Sequence, residues 1–351
     1  MSIWARFRRR RRRVFGGGFL DRKGMCYRKS MNRNPKIQIL RALAIIAVVL
    51  IHTCNGGYWQ VVVRPFINFA VALFIFLSGY LTKIEYDNWT LFYKRRILRV
   101  AIPYVIWTII YTFPSTNLKE YFLNLLTTQS SPILYYIFVY VQFVLLTPLL
   151  SKLAKSKWRL IGFVVAPLSI ICYKYTIIIL GFKPNGYLNI LWEVSCLGWF
   201  TYYYLGILLG NRVISKKYRY GPLFSLYIFT IFLQILETYI WYKYFNEPNC
   251  GTQIKLSVLL TNTTFLLICY TYINDSNIII SNRMLKLLGD YSFGIYLIHI
   301  LVIQILSKYS SLYRSLPYVL NSILILIISC FVVYIGRKLC GDKVSRWVGL
   351  Y

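Results

Sequence analysis

The chain has 351 residues, of which 58% are hydrophobic and 15% are charged, and its mean hydropathy is +0.54. These values lie outside the range of soluble globular domains. The formal net charge is +31, but the Lys and Arg residues lie mainly in short segments between apolar runs. That pattern excludes nucleic acid as a partner and predicts an all-α, multi-pass membrane protein in contact with lipids.

Residues 1–36 form a basic leader that contains six consecutive arginines, Arg8 to Arg13. Like charges at this density cannot fold alone. Twin-arginine export is not expected, because no short hydrophobic region with a cleavage site follows the arginines. Two interpretations remain, a disordered cytoplasmic arm at the anionic inner leaflet or a true start at Met31. We favour Met31, because MNRNPKIQILRALAI is a natural opening for a first span.

Beyond Met31, apolar runs of about 17 to 25 residues predict a bundle of about ten transmembrane helices. The predicted spans are 37–55, 65–82, 97–113, 132–151, 159–181, 190–210, 222–244, 254–273, 286–307 and 317–336. They form a transmembrane domain, 37–336, followed by a basic tail, 337–351. With the amino terminus inside, the inner loops and the tail carry more than twice as many Lys and Arg residues as the outer and intramembrane positions. Both termini are therefore expected in the cytoplasm.

The first span carries an arginine and a histidine, Arg41 and His52. Eleven helical steps rotate the chain by about 1100°, roughly 20° past three turns, and advance it about 16 Å, so both side chains share one face. Ionisable residues within a span are costly and are expected to face a protein interior or a wet cavity. The alternative is a snorkelling arginine and a histidine that a neighbouring helix satisfies.

The third span begins with FYKRRILRVAIPY, residues 92–104, at the predicted cytoplasmic surface. Arg96 and Arg99 are three residues apart and hence neighbours on one helical face. Forked guanidinium groups suit phosphate, whose oxygens they meet in pairs. The alternative is a cluster that only sets the topology.

The ninth span contains Ser292 and His299, seven residues apart and nearly in line on one face. His52 and His299 are the two histidines of the chain, and both lie about 18 to 21 Å from the predicted inner surface. A structural histidine, bonded within the bundle, is the alternative for His299. FLSGYL at 76–81 and LGILLG at 205–210 predict close helix approach at small residues. The eight cysteines lack metal-ligand spacing, so no metal is expected.

Six motifs occur in a fixed order: RALAIIAVVLIH, FLSGYL, YKRRILRVAIPY, VLLTPLL, FTYYYLGILLG and YSFGIYLIH. Over residues 37 to 336 the chain resembles the acyltransferase 3 family of integral membrane acyltransferases. The resemblance implies about ten spans and transfer of an acyl group, usually acetyl from acetyl-CoA, to sugars of surface polysaccharides. It implies roles for Arg41, His52, Arg96 and Arg99, and it leaves Ser292 and His299 as a possible additional site.

The resulting prediction is an O-acetyltransferase in a bacterial cytoplasmic membrane, acting on a surface polysaccharide or its lipid-linked precursor. Arg96 and Arg99, together with Arg41, would hold the phosphates of cytoplasmic acetyl-CoA, and the pantetheine arm would run towards His52. His52 would act as general base, and Arg41 is counted with it in the catalytic site. The alternatives are a transporter or flippase for glycans or lipid-linked sugars, and a structural partner of a polysaccharide synthase.

Overall fold

The computed structural model describes residues 34–54, 56–113, 117–182, 184–214, 218–278 and 282–351. Within these ranges the chain forms α-helices with short 3₁₀ and π turns and no strand. The arginine run and Met31 lie outside the described residues. The predicted all-α fold is confirmed.

The helices are labelled in chain order. They are α1 (Pro35–Thr53), α2 (Tyr58–Ile67), α3 (Phe69–Tyr80), α4 (Trp89–Thr112), α5 (Leu118–Thr127), α6 (Tyr135–Lys155), α7 (Val165–Ile170), α8 (Thr176–Leu180), α9 (Gly186–Glu193), α10 (Phe200–Gly210), α11 (Tyr220–Tyr244), α12 (Leu256–Asn274), α13 (Arg283–Tyr309), α14 (Ser311–Ser315) and α15 (Tyr318–Val348).

Eight helical stretches in the described ranges are long and apolar enough to cross a membrane. They are α1, α2 with α3, α6, the stretch Arg159–Leu180, α11, α12, α13 and α15. The two other predicted spans correspond to α4, which carries the basic cluster, and to α10, which has 11 residues. These findings establish an integral membrane protein, while ten crossings and cytoplasmic termini stay predictions.

The predicted continuous helix at 159–181 is wrong in detail. A 3₁₀ turn, Arg159–Phe163, precedes α7, and a π turn, Ile171–Tyr175, separates α7 from α8. Pro167 lacks an N–H and its ring crowds the carbonyl four residues earlier, which is at Phe163. The α-helical hydrogen-bond pattern therefore begins only after Phe163, with α7.

The predicted span at 190–210 is also interrupted, because α9 ends at Glu193 and α10 begins at Phe200. Gln142 of α6 satisfies the broken backbone: its amide nitrogen donates to the Val194 carbonyl, and its Oε1 accepts from the Cys196 N–H at 3.0 Å. Non-helical backbone within a membrane is tolerated where protein groups satisfy it. A side chain from another helix thus stabilises the break.

Glycines bring the helix backbones together where the motifs predicted close approach. A Cβ added at Gly79 of α3 would lie 2.2 Å from the Tyr203 carbonyl oxygen of α10. A Cβ at Gly206 would lie 2.4 Å from the Phe76 carbonyl oxygen in return. The close helix approach predicted at FLSGYL and at LGILLG is therefore observed, and the two motifs pack against each other.

Helix α1 packs against α13, α3 and α15 near the middle of the fold. Gly289 makes the closest approach, since a Cβ there would lie 2.0 Å from the Gln38 carbonyl oxygen of α1. At the other end of α1, Tyr318 donates to the Leu50 carbonyl at 3.0 Å, and the hydroxyls of Thr53 and Ser322 are 2.6 Å apart. Helix α1 is thus fixed at both ends.

Candidate functional site

A cavity of about 300 Å³ opens where α1, α3, α4, α6 and α13 meet. Its basic and polar lining residues are Arg41, Ser78, Arg95, Arg96, Arg99, Tyr136, Tyr140, Ser292, Tyr296 and Tyr351. The structure therefore brings four of the predicted site residues, Arg41, Arg96, Arg99 and Ser292, to one place.

The arginines of α4 lie at the exposed end of this cavity. Helix α4 begins after Asn88, whose Oδ1 accepts from the Leu91 N–H at 2.9 Å. Arg95 and Arg99 are exposed, whereas Arg96 is half-buried and donates through Nη2 to the Leu81 carbonyl at 3.1 Å. The one-face spacing of Arg96 and Arg99 is confirmed, since both line the same cavity.

Arg41 lines the cavity from α1, whereas the other three arginines of the lining belong to α4. Pro35 occupies the first turn of α1, and the Asn34 side chain accepts from the Lys36 N–H at 3.0 Å, which fixes where the helix begins. The half-buried Arg41 side chain then joins the arginines of α4.

Ser292 is fully buried and lines the cavity from α13. Within the described part of the chain no group forms a hydrogen bond with its Oγ. Buried hydroxyls almost always have a partner, and an exception calls for an explanation. A ligand in the cavity would supply the missing partner.

His299 has a defined tautomer because of its backbone contacts. Its Nδ1 lies 2.8 Å from the Tyr296 carbonyl and 3.1 Å from the Ile295 carbonyl. Carbonyl oxygens only accept, so Nδ1 carries the proton and Nε2 is an acceptor. Among the residues described, Nε2 has no hydrogen-bond partner although the side chain is fully buried.

The two histidines meet, with ring centroids 5.2 Å apart. Their predicted similar depth is thereby confirmed. Neither histidine lines the cavity. Tyr296 does line it, and the Tyr296 ring centroid is 6.1 Å from that of His299. The cavity therefore does not open directly onto His52. Ring contacts from Tyr296 to His299 and from His299 to His52 link the cavity wall to His52.

Sequence reasoning missed Tyr140 and Tyr351 in the cavity and Arg64 beside His52. Arg64 lies in α2 and donates through Nη1 to the Ile51 carbonyl at 3.3 Å and through Nε to the Gly251 carbonyl at 3.0 Å. A lone arginine in an apolar run was a usable signal for Arg64. Tyr140 and Tyr351 had none, because tyrosine is abundant in this chain.

The comparisons with known proteins agree with the motifs. The chain belongs to the acyltransferase 3 family of membrane acyltransferases, because the model of the family's acyltransferase domain matches residues 34–336. The resemblance seen in the sequence is therefore confirmed.

Two similar proteins of Staphylococcus aureus are each named "Probable poly-beta-1,6-N-acetyl-D-glucosamine export protein". The one of strain Mu50 is 23% identical over 336 residues, which cover 88% of this chain and 93% of that protein. The one of strain MRSA252 is 23% identical over 342 residues, which cover 89% and 95%. None of the solved structures matches the chain.

Proposed function

We propose that the protein transfers acetyl from cytoplasmic acetyl-CoA to a hydroxyl of a surface polysaccharide or its lipid-linked precursor. The observation that carries this proposal is the cavity, which is lined by four arginines and by a buried hydroxyl that has no partner within the described residues. Family membership supplies the acyl-transfer chemistry. The cavity supplies the argument for an anionic donor.

The size and charge of the cavity fit a donor that is only partly enclosed. Its volume of about 300 Å³ is at the lower end for small-molecule sites, enough for the narrow arm of CoA but not for the nucleotide. The phosphates would lie at the exposed end, among Arg95, Arg96 and Arg99, as guanidinium pairs favour. The Ser292 hydroxyl would donate a hydrogen bond to, or accept one from, the amide groups of the pantetheine arm.

The transfer needs one proton acceptor, because a thioester is already activated. The acceptor hydroxyl attacks the thioester carbonyl carbon, a C–O bond forms and the C–S bond breaks. His52 takes the hydroxyl proton and returns it to the departing thiolate, so that free CoA leaves as a thiol. His299 would orient the His52 ring through the contact between the two imidazoles.

Purified protein with acetyl-CoA and unacetylated polysaccharide tests the proposal. The expected result is release of the CoA thiol that depends on the polysaccharide and matches the acetyl esters formed. Absence of thiol release, with folded protein and the correct acceptor, would contradict acetyl-CoA as donor.

Export of a glycan is the second candidate function, and the names of the two Staphylococcus aureus relatives favour it. An exporter would also bury polar and charged groups along its substrate path. It would move polymer across the membrane without consuming acetyl-CoA. The two candidates therefore differ in their products. Acetyl transfer yields free CoA and an acetyl ester, whereas export yields only translocated polymer.

A further inference from the structure

The last residues of the sequence, 342–351, pack against the bundle beside the cavity. Helix α15 is interrupted at Gly341, where φ is 68° and ψ is 171°, and its final stretch ends at Val348. Gly349 follows with φ at 82°. Residues with a side chain rarely adopt such angles, so the two glycines allow the chain to change direction twice. The sequence predicted only a basic tail here.

This segment packs against α4, the hydrophobic core and α13. Trp107 of α4 donates through Nε1 to the Val348 carbonyl at 2.9 Å. The Leu350 N–H donates to the Ser345 carbonyl at 2.8 Å, and the Leu350 side chain is buried in the core. A Cβ at Gly349 would meet Leu297 of α13 at 2.6 Å. The segment is thus a packed part of the fold.

Tyr351 reaches the arginine end of the cavity from this segment. Its hydroxyl accepts a hydrogen bond from Nε of Arg99 at 2.7 Å, and the Arg99 guanidinium lies over its ring, 4.5 Å from the centroid. Its ring also contacts that of Phe293, with ring centroids 5.6 Å apart. Arg99 is otherwise exposed. The tyrosine therefore restrains a side chain that would otherwise sample many rotamers.

The bond through Nε leaves both Nη groups of Arg99 for a ligand. Paired N–H donors are the part of a guanidinium that meets two phosphate oxygens at once. Burial raises the pKa of the Tyr351 phenol above its ordinary value of 10.0. The contact with Arg99 is therefore made by a neutral phenol at physiological pH, so the phenol adds no negative charge beside Arg99.

We propose that Tyr351 is a positioning residue of the donor site, which holds the Arg99 guanidinium ready for the phosphates of the donor. The family match ends at residue 336, so this residue lies outside the part of the chain that the family describes. The inference rests on the proposed function, since it assigns the ligand of Arg99 to the CoA donor. With Tyr351, the proposed donor site includes a residue of the segment 342–351, which lies beyond the family domain.

Binding of CoA to the purified full-length protein tests this role. Tyr351→Ala should weaken CoA binding about tenfold, and Tyr351→Phe by less, because the ring over Arg99 is kept and only the hydroxyl is lost. Adding Tyr351→Ala to Arg99→Ala should cause no further loss, since the tyrosine acts through the arginine. Trp347→Ala is the matched control, because this residue lies in the same segment, is exposed and does not line the cavity.

The kinetic readout separates positioning from general disruption. At saturating acetyl-CoA the Tyr351→Ala protein should keep its kcat, while KM for acetyl-CoA rises about tenfold. Unchanged CoA affinity in Tyr351→Ala would overturn the inference. Tighter binding would overturn it as well, because the ring would then block the cavity. A wild-type protein that binds no CoA would instead overturn the proposed donor, and with it this role.

Discussion

The arginines of the cavity are its most informative residues. Four guanidinium groups line it, and none of its lining residues in the described part of the chain is Asp or Glu. Like charges that lie close together in a partly enclosed site repel one another, and a bound anion relieves that repulsion. A cluster that only set the topology would not need to converge on one cavity.

Replacing Arg96 and Arg99 together with alanine should raise KM for acetyl-CoA by about tenfold or more, because charge-assisted hydrogen bonds to phosphate are lost. Membrane insertion should persist, since Lys83, Lys94 and Arg95 remain in the same loop region. Steady-state kinetics on purified protein measure the change. Lys94→Ala is the control, because Lys94 is exposed and outside the cavity lining. An unchanged KM in the double variant would reject the phosphate role.

Ser292 allows a test in which stability and binding should change in different directions. Ser292→Ala removes a buried hydroxyl without a described partner, so it should leave the melting temperature unchanged or raise it. If the hydroxyl bonds to the donor, KM for acetyl-CoA should rise about fivefold to tenfold. Thermal melting and kinetics on one preparation give both values.

Ser329→Ala is the matched control for Ser292→Ala. Ser329 of α15 is likewise fully buried, and its Oγ likewise has no hydrogen-bond partner among the described residues, but it does not line the cavity. Its kinetics should stay at the wild-type values. Equal kinetics in the two variants would show that the Ser292 hydroxyl does not contact the donor.

Helical spacing predicted that Arg96 and Arg99 share a face, and the structure agrees for this pair. Arg96 and Arg99, three apart, line one cavity, and the two histidines lie at similar depth. Spacing could not predict contacts between distant segments. The bond from Arg99 to Tyr351 joins residues 252 positions apart. No local pattern marks such a pair, because only the packed bundle brings the segments together.

At the scale of helices, apolar runs predicted where most elements lie but not where they break. Length and hydropathy are properties of one segment, so α1, α11 and α12 fall close to their predicted bounds. The break between α9 and α10 depends on Gln142 from another helix. A segment read by itself carries no sign of that partner, whereas Pro167 was a local sign of the irregular stretch after Arg159.

The approach of α13 to α1 at Gly289 gives a test of the helix packing that positions both histidines. Gly289→Ala would place a Cβ against the Gln38 backbone, which cannot rotate away as a side chain could. We expect a loss of about 1 to 3 kcal/mol in stability together with lower activity. Thermal melting measures the first effect and the acetyl-transfer assay the second.

Gly221→Ala is the control for Gly289→Ala, because a Cβ at Gly221 of α11 would meet nothing within 4 Å. It should leave stability and activity unchanged or slightly improve stability, as alanine favours the helix. Equal melting temperatures for Gly289→Ala and wild type would contradict the close approach of α1 and α13.

For the whole molecule, the basic loops predict an orientation with the arginine end of the cavity in the cytoplasm. This prediction does not depend on the basic leader. Deletion of residues 1–30 should therefore leave activity and membrane insertion unaltered. The measurement is acetylation per molecule of protein in membranes, with protein amount determined by immunoblot. Lost activity at a normal protein level would assign a function to the arginine run.

In the proposed mechanism His52 performs the proton transfer of acetylation, whereas export of a glycan requires no such transfer. His52→Gln keeps much of the side-chain volume and some hydrogen bonding but cannot act as a base near neutral pH. The most direct measurement is NMR of the purified surface polysaccharide from cells with this variant as their sole copy. We predict that the acetyl-ester methyl signals fall by about 100-fold or more while the amount of exported polymer is unchanged. Full acetylation in a verified His52→Gln strain would contradict the mechanism, and loss of the polymer itself would favour the exporter.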